Sequence, residues 1–224
     1  MTQERRDGNS PLPRRPHETV MARPREFDEQ SALEAAIQCF WARGYEATSV
    51  RDLADRMEIS GASLYNAFGD KHALFRRALE HYVAQGFAER VRRLEGQLPP
   101  RKAIEAFLSD IIARSLNDKQ RKGCMLVNAA LEVAPHDAEL RRVVADFQVR
   151  AETFFHRCVE AGQRDGTISA IQPAKDLARL LLGVLMGIRV LAISRPEREL
   201  LEGLLRPVLA LLDVHKGELK RAKR

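Results

Sequence analysis

Three places in this sequence gather side chains suited to chemistry. The first is the run Ser60-Gly61-Ala62-Ser63-Leu64-Tyr65-Asn66, flanked by Thr48, Ser49 and Arg51 before it and Lys71 after it. Small residues let a helix approach base edges, and Tyr and Asn supply hydrogen bonds once there. Helix starts with hydroxyls and nearby cations are the groups that meet phosphates. The second place is Cys124, which follows Gly123 and the basic residues Lys119, Arg121 and Lys122. A helix N-terminus with neighbouring cations favours a reactive thiolate, against the plainer reading of a small buried residue. The third is Arg189, a cation in an otherwise apolar helix, which calls for an acidic partner such as Glu132. Enzymatic and metal chemistry find no support. His72, His81, His136, His156 and His215 show no spacing that closes a zinc site, and there is no nucleophile elbow, P-loop or dinucleotide fingerprint. No catalytic residue, metal or cofactor is expected.

The elements that position these residues are all helices. From Phe27 the apolar residues Leu33, Ala36, Ile37 and Phe40 recur at helical spacing, and Gly44 ends the helix. Thr48 or Ser49 caps a second helix with Val50, Leu53, Ala54 and Met57 inward. After a break at Glu58–Gly61, Ala62–Phe68 forms a third, with Leu64 and Phe68 pointing back to the core; Gly61 is expected to permit the sharp reversal and Ile59 to plug the crossing. Asp70 caps a helix to about Leu94. Further helices are read at 101–117, 124–133, 138–161, 173–194 and 197–214, which makes about nine, with no strand alternation and no repeat.

Composition sets the frame. The chain has 224 residues, 45% hydrophobic and 30% charged, which excludes wholesale disorder. Three cysteines and no charged-then-apolar leader point to a reduced, cytoplasmic chain. The most apolar stretch, Leu177–Ser194, contains Arg179 and Arg189, so it reads as a buried soluble helix and no membrane is expected. The net charge of +6 invites a nucleic-acid guess. Yet residues 28–82 carry nine acids against six bases, and the excess lies mainly in the two ends. Bulk charge is therefore weak support, and placed residues must carry the case. Residues 1–22, rich in Arg, Pro and Gly, read as a disordered arm and 215–224 as a basic tail; their Arg and Lys residues could add salt-sensitive contacts to DNA.

Residues 28–75 resemble the DNA-binding region of TetR-family transcriptional regulators. Ala32, Ala36, Phe40, Gly44, Tyr45, Thr48, Ser49, Val50, Ile59, Ser60, Leu64, Tyr65, Phe68, Lys71 and Leu74 carry the match, and the run Leu64–Lys71 is its most specific part. The resemblance implies an all-α fold with a three-helix helix-turn-helix DNA-binding domain at 23–70 and a helical ligand-binding and dimerisation domain at 71–214. It implies a homodimer on a palindromic operator in double-stranded DNA, with Ala62–Phe68 as the recognition helix and Thr48, Tyr65 and Lys71 on phosphates. It also implies a cavity for a small-molecule effector, with Phe87, Phe107, Ile111, Cys124, Met125, Asn128, Phe147, Phe154, Met186 and Arg189 as candidate lining. Some cysteine-responsive members carry a similar Gly-Cys pair, as do members without that chemistry. The function expected is a repressor released by an effector or by thiol modification.

The last two helices are apolar on more than one face, a surplus that pairing with a second copy would bury. Leu180, Val184, Leu191, Leu201, Leu204, Leu205, Val208 and Leu212 are the interface candidates. Two alternatives from other classes remain: a protein-interaction adaptor that keeps the helix-turn-helix as a fold, and an all-α enzyme.

Overall fold

A computed structural model describes residues 27–214, so the arm at 1–22 and the tail at 215–224 lie outside the described residues. Among them there are helices and turns and no strand. The helices are α1 (Glu29–Arg43), α2 (Val50–Met57), α3 (Gly61–Phe68), α4 (Lys71–Val83), α5 (Glu89–Leu94), α6 (Pro100–Asn117), α7 (Met125–Glu132), α8 (Ala138–Arg164), α9 (Ala174–Ser194) and α10 (Arg198–Leu212). A π-helical turn, Ala84–Ala88, joins α4 to α5 with helical backbone on either side. Counted as one rod, residues 71–94 bring the total among the described residues to the expected nine.

Local chemistry explains the front. Asp28, Ser49, Ser60 and Asp70 each accept from backbone N–H groups in the first turn of α1, α2, α3 and α4. At α2 the arrangement is a full capping box, with Asp52 reaching back to the Ser49 N–H. Two of these helices have only eight residues, too few to persist alone in water, so caps and packing must hold them. The reversal between α2 and α3 is made by Glu58, in the left-handed region at φ 56° and ψ 38°. Gly61, expected to make it, is instead the first residue of α3 with no positive φ.

The buried side chains fall into two clusters. The front cluster joins α1–α4 with α7 and the first half of α8, through Ala36, Phe40, Leu53, Leu64, Leu74, Leu79, Met125 and Leu140. The rear cluster joins α6, the second half of α8, α9 and α10, through Phe107, Phe154, Phe155, Leu181, Ile188 and Leu201. Phe87, on the π turn, packs against both. Packing therefore has no seam at residue 70: α4 and α7 are built into the same core as the helix-turn-helix.

Helix α9 is long and apolar enough to cross a membrane by length and composition alone. In the fold it lies along α8 and contacts α6, α7 and α10.

Candidate functional site

Helices α2 and α3 form the first site. Leu53, Ala54 and Met57 of α2 and Leu64 and Phe68 of α3 are buried, which fixes how both helices sit on α1 and α4. That leaves Ala62, Tyr65 and Asn66 on the outside, with Tyr65 54% exposed. Ser60 is committed to capping, accepting from the Ser63 N–H at 3.0 Å, and its hydroxyl also pairs with that of Ser63 at 2.9 Å. Nothing lies near the position a Cβ would take at Gly61, so this edge is open. The outward face of α3 thus has one large aromatic hydroxyl, one amide and small residues, a set that can enter a groove and hydrogen-bond there. Arg51 extends into solvent beside it, 92% exposed and 3.9 Å from Asp55.

Two expected phosphate ligands are placed differently. Thr48 is fully buried and its hydroxyl donates to the Gly44 carbonyl at 2.6 Å; Ser49 is the helix cap. The Lys71 ammonium donates to the carbonyls of Tyr45 (3.1 Å) and Thr48 (3.2 Å) and lies 4.2 Å from the Tyr45 ring centroid. Both side chains hold the α1–α2 loop. A third group does the same from further away. The Glu132 carboxylate, at the end of α7, accepts from the N–H groups of Tyr45 (3.1 Å) and Glu46 (2.9 Å). Glu132 is therefore engaged there and is not the partner of Arg189. Gly44 makes this possible: it has φ 83°, and a Cβ there would stand 2.8 Å from the carboxylate. The loop that launches α2 is gripped by an acid from α7 and a base from α4. Sequence spacing gives no sign of the acid, because 87 residues separate Glu132 from Tyr45.

The second site lies under the π turn. A small cavity of about 30 Å³ is lined by seven of the candidate residues, Phe87, Phe107, Ile111, Cys124, Phe147, Met186 and Arg189, and by Val83, Arg90, Leu126 and Leu185, which sequence reasoning did not name. Three expected liners are elsewhere. Met125 is buried in the front core, Phe154 is buried against Phe107 and Phe155, and Asn128 donates its amide N–H to the Lys122 carbonyl at 2.9 Å. Arg90 had a legible signal: it sits among Phe87, Val91 and Leu94 at helical spacing, a cation on an apolar stripe. It is 7% exposed and donates to Asp110 at 2.6 Å and to the Gly86 carbonyl at 3.1 Å. Burial lowers its pKa from the ordinary guanidinium value. Arg90 and Arg189 also line an open cleft of about 930 Å³ between α1 and the rear helices, together with Trp41, Tyr82, Gly86 and Arg114.

Cys124 is 4% exposed in the cavity wall, as the residue before α7. Its partner is the Tyr82 hydroxyl, which donates to its sulfur at 3.9 Å, and burial raises the Tyr82 pKa. The nearby cations are turned away. Lys122 donates to Gln38 and lies over the Trp41 ring, and Lys119 and Arg121 are exposed. All three cysteines are buried free thiols, and burial pushes Cys158 up to about 12. No group of three or more His, Cys, Asp or Glu suited to a metal occurs among the described residues.

The apolar surplus of α9 and α10 is real but rotated from the expected residues. Leu201, Leu205, Val208 and Leu212 are buried in the chain's own core. The outward strip consists of Leu180, Gly183, Gly187 and Val190 on α9 and Pro207 and Leu211 on α10, with Val184, Leu191 and Leu204 half-buried at its margin.

Comparison with known proteins gives a consistent picture. Residues 32–78 match the family model of bacterial regulatory proteins of the tetR family, and residues 100–202 match that of the tetracyclin repressor-like C-terminal domain. An uncharacterized HTH-type transcriptional regulator of Bacillus subtilis (strain 168), YezE, is 32% identical over 169 residues, which is 72% of this chain and 87% of that protein. The HTH-type transcriptional repressor ComR of Escherichia coli (strain K12) is 28% identical over 174 residues, covering 76% and 81%. Among solved structures, a cysteine-substituted form of the TetR-family regulator CifR, complexed with 26-base-pair double-strand operator DNA, is 34% identical. It has a TM-score of 0.76 and covers 85% of this chain and 100% of that one.

Proposed function

Because the chain belongs to the TetR family of transcriptional regulators, we propose that it is a cytoplasmic, homodimeric repressor that grips a palindromic operator through α3 and releases it when a small molecule enters the cavity under the π turn. The observation that carries the DNA-binding part is the outward face of α3. Ala62, Tyr65 and Asn66 are held out by the buried Leu64 and Phe68, in a chain 34% identical to a regulator solved on operator DNA.

Two copies are joined through the outward strip of α9 and α10. Gly183 and Gly187 have nothing packed where a side chain would be, so a partner helix can approach closely there. A four-helix bundle across this strip covers Leu180, Val190 and Leu211. The two α3 helices must then stand about 34–36 Å apart to enter successive major grooves on one side of a duplex. Phosphates are met by Tyr65, Arg51, Ser49 and the backbone N–H groups at helix starts. Lys71 and Thr48 act at one remove, by holding the loop from which α2 begins.

Release follows from the path of α7. It starts just after Cys124 in the cavity wall and ends at Glu132 on the loop before α2. Displacement of its first turn is carried along about two turns of helix to the N–H groups of Tyr45 and Glu46. An effector shifts the equilibrium only as far as its affinities for the two states differ, about 1–3 kcal/mol in ordinary allosteric coupling. The thiol route to release rests on Cys124 alone, and its burial requires any reagent to enter the same cavity.

The test is a gel-shift with purified protein and duplex DNA from upstream of its own gene, with scrambled duplex as competitor and salt varied. Two chains per duplex and displacement only by specific competitor support the reading. Tyr65→Phe should weaken binding and leave the dimer intact. Binding that is absent even at low salt overturns the repressor and favours an adaptor.

A further inference from the structure

The cavity and the cleft meet at one residue, Arg189, and the charges around it do not balance. Besides Arg56 of α2 and Lys122 before α7, three guanidinium groups, Arg90, Arg114 and Arg189, line the cleft. The Asp110 carboxylate serves two of them, accepting from Arg90 at 2.6 Å and from Arg114 at 2.9 Å. Arg189 has no hydrogen bond or ion pair with any described residue. It is half-buried, next to the fully buried Ile188 and about one helical turn after the half-buried Met186, and close enough to Arg90 for the two cations to disfavour each other. A partly desolvated cation without a counter-ion is costly, and a second cation beside it adds to that cost.

We propose that this place binds an amphipathic monoanion of the carboxylate class, with its head on Arg189 and its apolar tail among Phe87, Phe107, Ile111 and Phe147. The proposal rests on the effector-released repressor described above and names the effector's chemistry. The head has a second donor at hand. The Tyr82 hydroxyl lies within electrostatic reach of Arg189, and its present bond, to the Cys124 sulfur at 3.9 Å, is long and weak. One uncompensated cation suits one negative charge. On the cleft's other walls Glu34, Glu58 and Asp118 offset Arg56 and Lys122, so a second negative charge finds no surplus cation there. The tail pocket is apolar and aromatic, with Phe87 edge-on to Phe107 (5.9 Å) and to Phe147 (5.3 Å). At about 30 Å³ it is too small for the tail, so the tail must move a wall. The wall that can move is the π turn, which carries Phe87 and leaves no residue of its own buried. π turns within α-helices are a recurrent feature of functional sites.

Calorimetric titration of the full-length protein tests this. The probes are octanoate, decanoate and 4-phenylbutyrate, each paired with the alcohol of the same carbon skeleton. The expected result is saturable binding of at least one carboxylate, one per chain and tenfold or more tighter than its alcohol. Arg189→Met should reduce that carboxylate to the level of its alcohol, and Arg189→Lys should keep part of the preference, while circular dichroism melting confirms that both variants fold. If every carboxylate binds no better than its alcohol, or if Arg189→Met leaves the preference intact, the proposal is overturned. A gel-shift run in parallel separates the two readings. Operator binding without carboxylate binding removes the ligand class alone. Arg189-dependent carboxylate binding without operator binding removes the repressor alone.

Discussion

The front and rear of the molecule start their helices in different ways. In front, α1, α2, α3 and α4 each begin with a side-chain cap, from Asp28, Ser49, Ser60 and Asp70. Behind them, α6, α7, α9 and α10 begin with Pro99, Cys124, Pro173 and Glu197, none of which makes a side-chain cap bond. Only α8 in the rear is capped, by Asp137, and that carboxylate also bonds His72 of α4 at 2.7 Å. The difference tracks what each region must do. The eight-residue α2 and α3, which present a fixed face, have their ends tied locally. The uncapped rear helices, apart from the eight-residue α7 that packs into the front core, are longer and are held by packing rather than by end bonds. The front is a presenting tool and the rear a compliant mount, joined through α7 and α4.

The largest expected effect comes from breaking the front core. Phe40→Ala should cost about 3–5 kcal/mol, enough to lose the cooperative melt at ambient temperature. A folded, DNA-binding Phe40→Ala protein would show that the front is not the rigid partner. Next is the junction. Glu132→Ala removes the acceptor of the part-buried Tyr45 N–H, with about 1–3 kcal/mol of stability at stake, and leaves the exposed Glu46 N–H to water. Operator affinity should fall at least tenfold, while the secondary structure seen by circular dichroism stays intact. Affinity equal to wild type would show that α7 carries no signal. Caps sharpen the contrast directly. Ser60→Ala should cost about 1 kcal/mol in denaturant melts. Glu197→Ala, at an uncapped helix start, should stay within about 0.5 kcal/mol. Equal costs would erase the distinction.

Acid gives the smallest effect. Hydrogen bonds from the Ser49 side chain and backbone, and then from Arg43, hold the Asp52 carboxyl at about 2, below its ordinary value. A carboxyl lowered in the folded state stabilises above the ordinary range, and that contribution fades as pH falls from about 4 towards 2. Protection of the α2 amides, taken relative to their intrinsic exchange rates, should therefore fall across that window. Unchanged protection would mean that the ionised Asp52 carboxyl adds nothing to the cap.

Much of this was legible in the residues. Helical spacing, caps and glycine stops located the helices to within a few residues, and the run Leu64–Lys71 identified the DNA-binding unit. What was not legible shares one cause: direction. Thr48 and Ser49 are both hydroxyl residues at a helix start, and only packing decides that Thr48 turns inward. Helix α10 carries leucines on adjacent faces, so sequence alone could not choose between Leu201, Leu205 and Leu212 inside and Leu211 outside. The π turn has no composition of its own, and Ala84–Ala88 reads as ordinary helix. Arg189 was legible as a cation in need of a partner, but the acid assigned to it was already taken.

The contact between Gly44 and Glu132 limits how the chain can be recombined. A chimera that places residues 27–70 on another rear domain inherits a bare turn with two amide hydrogens and no acceptor. One that keeps the rear but brings a side chain at position 44 drives a methyl group into a carboxylate. The two positions, 88 residues apart in the chain, behave as one heritable unit and must be grafted together or not at all.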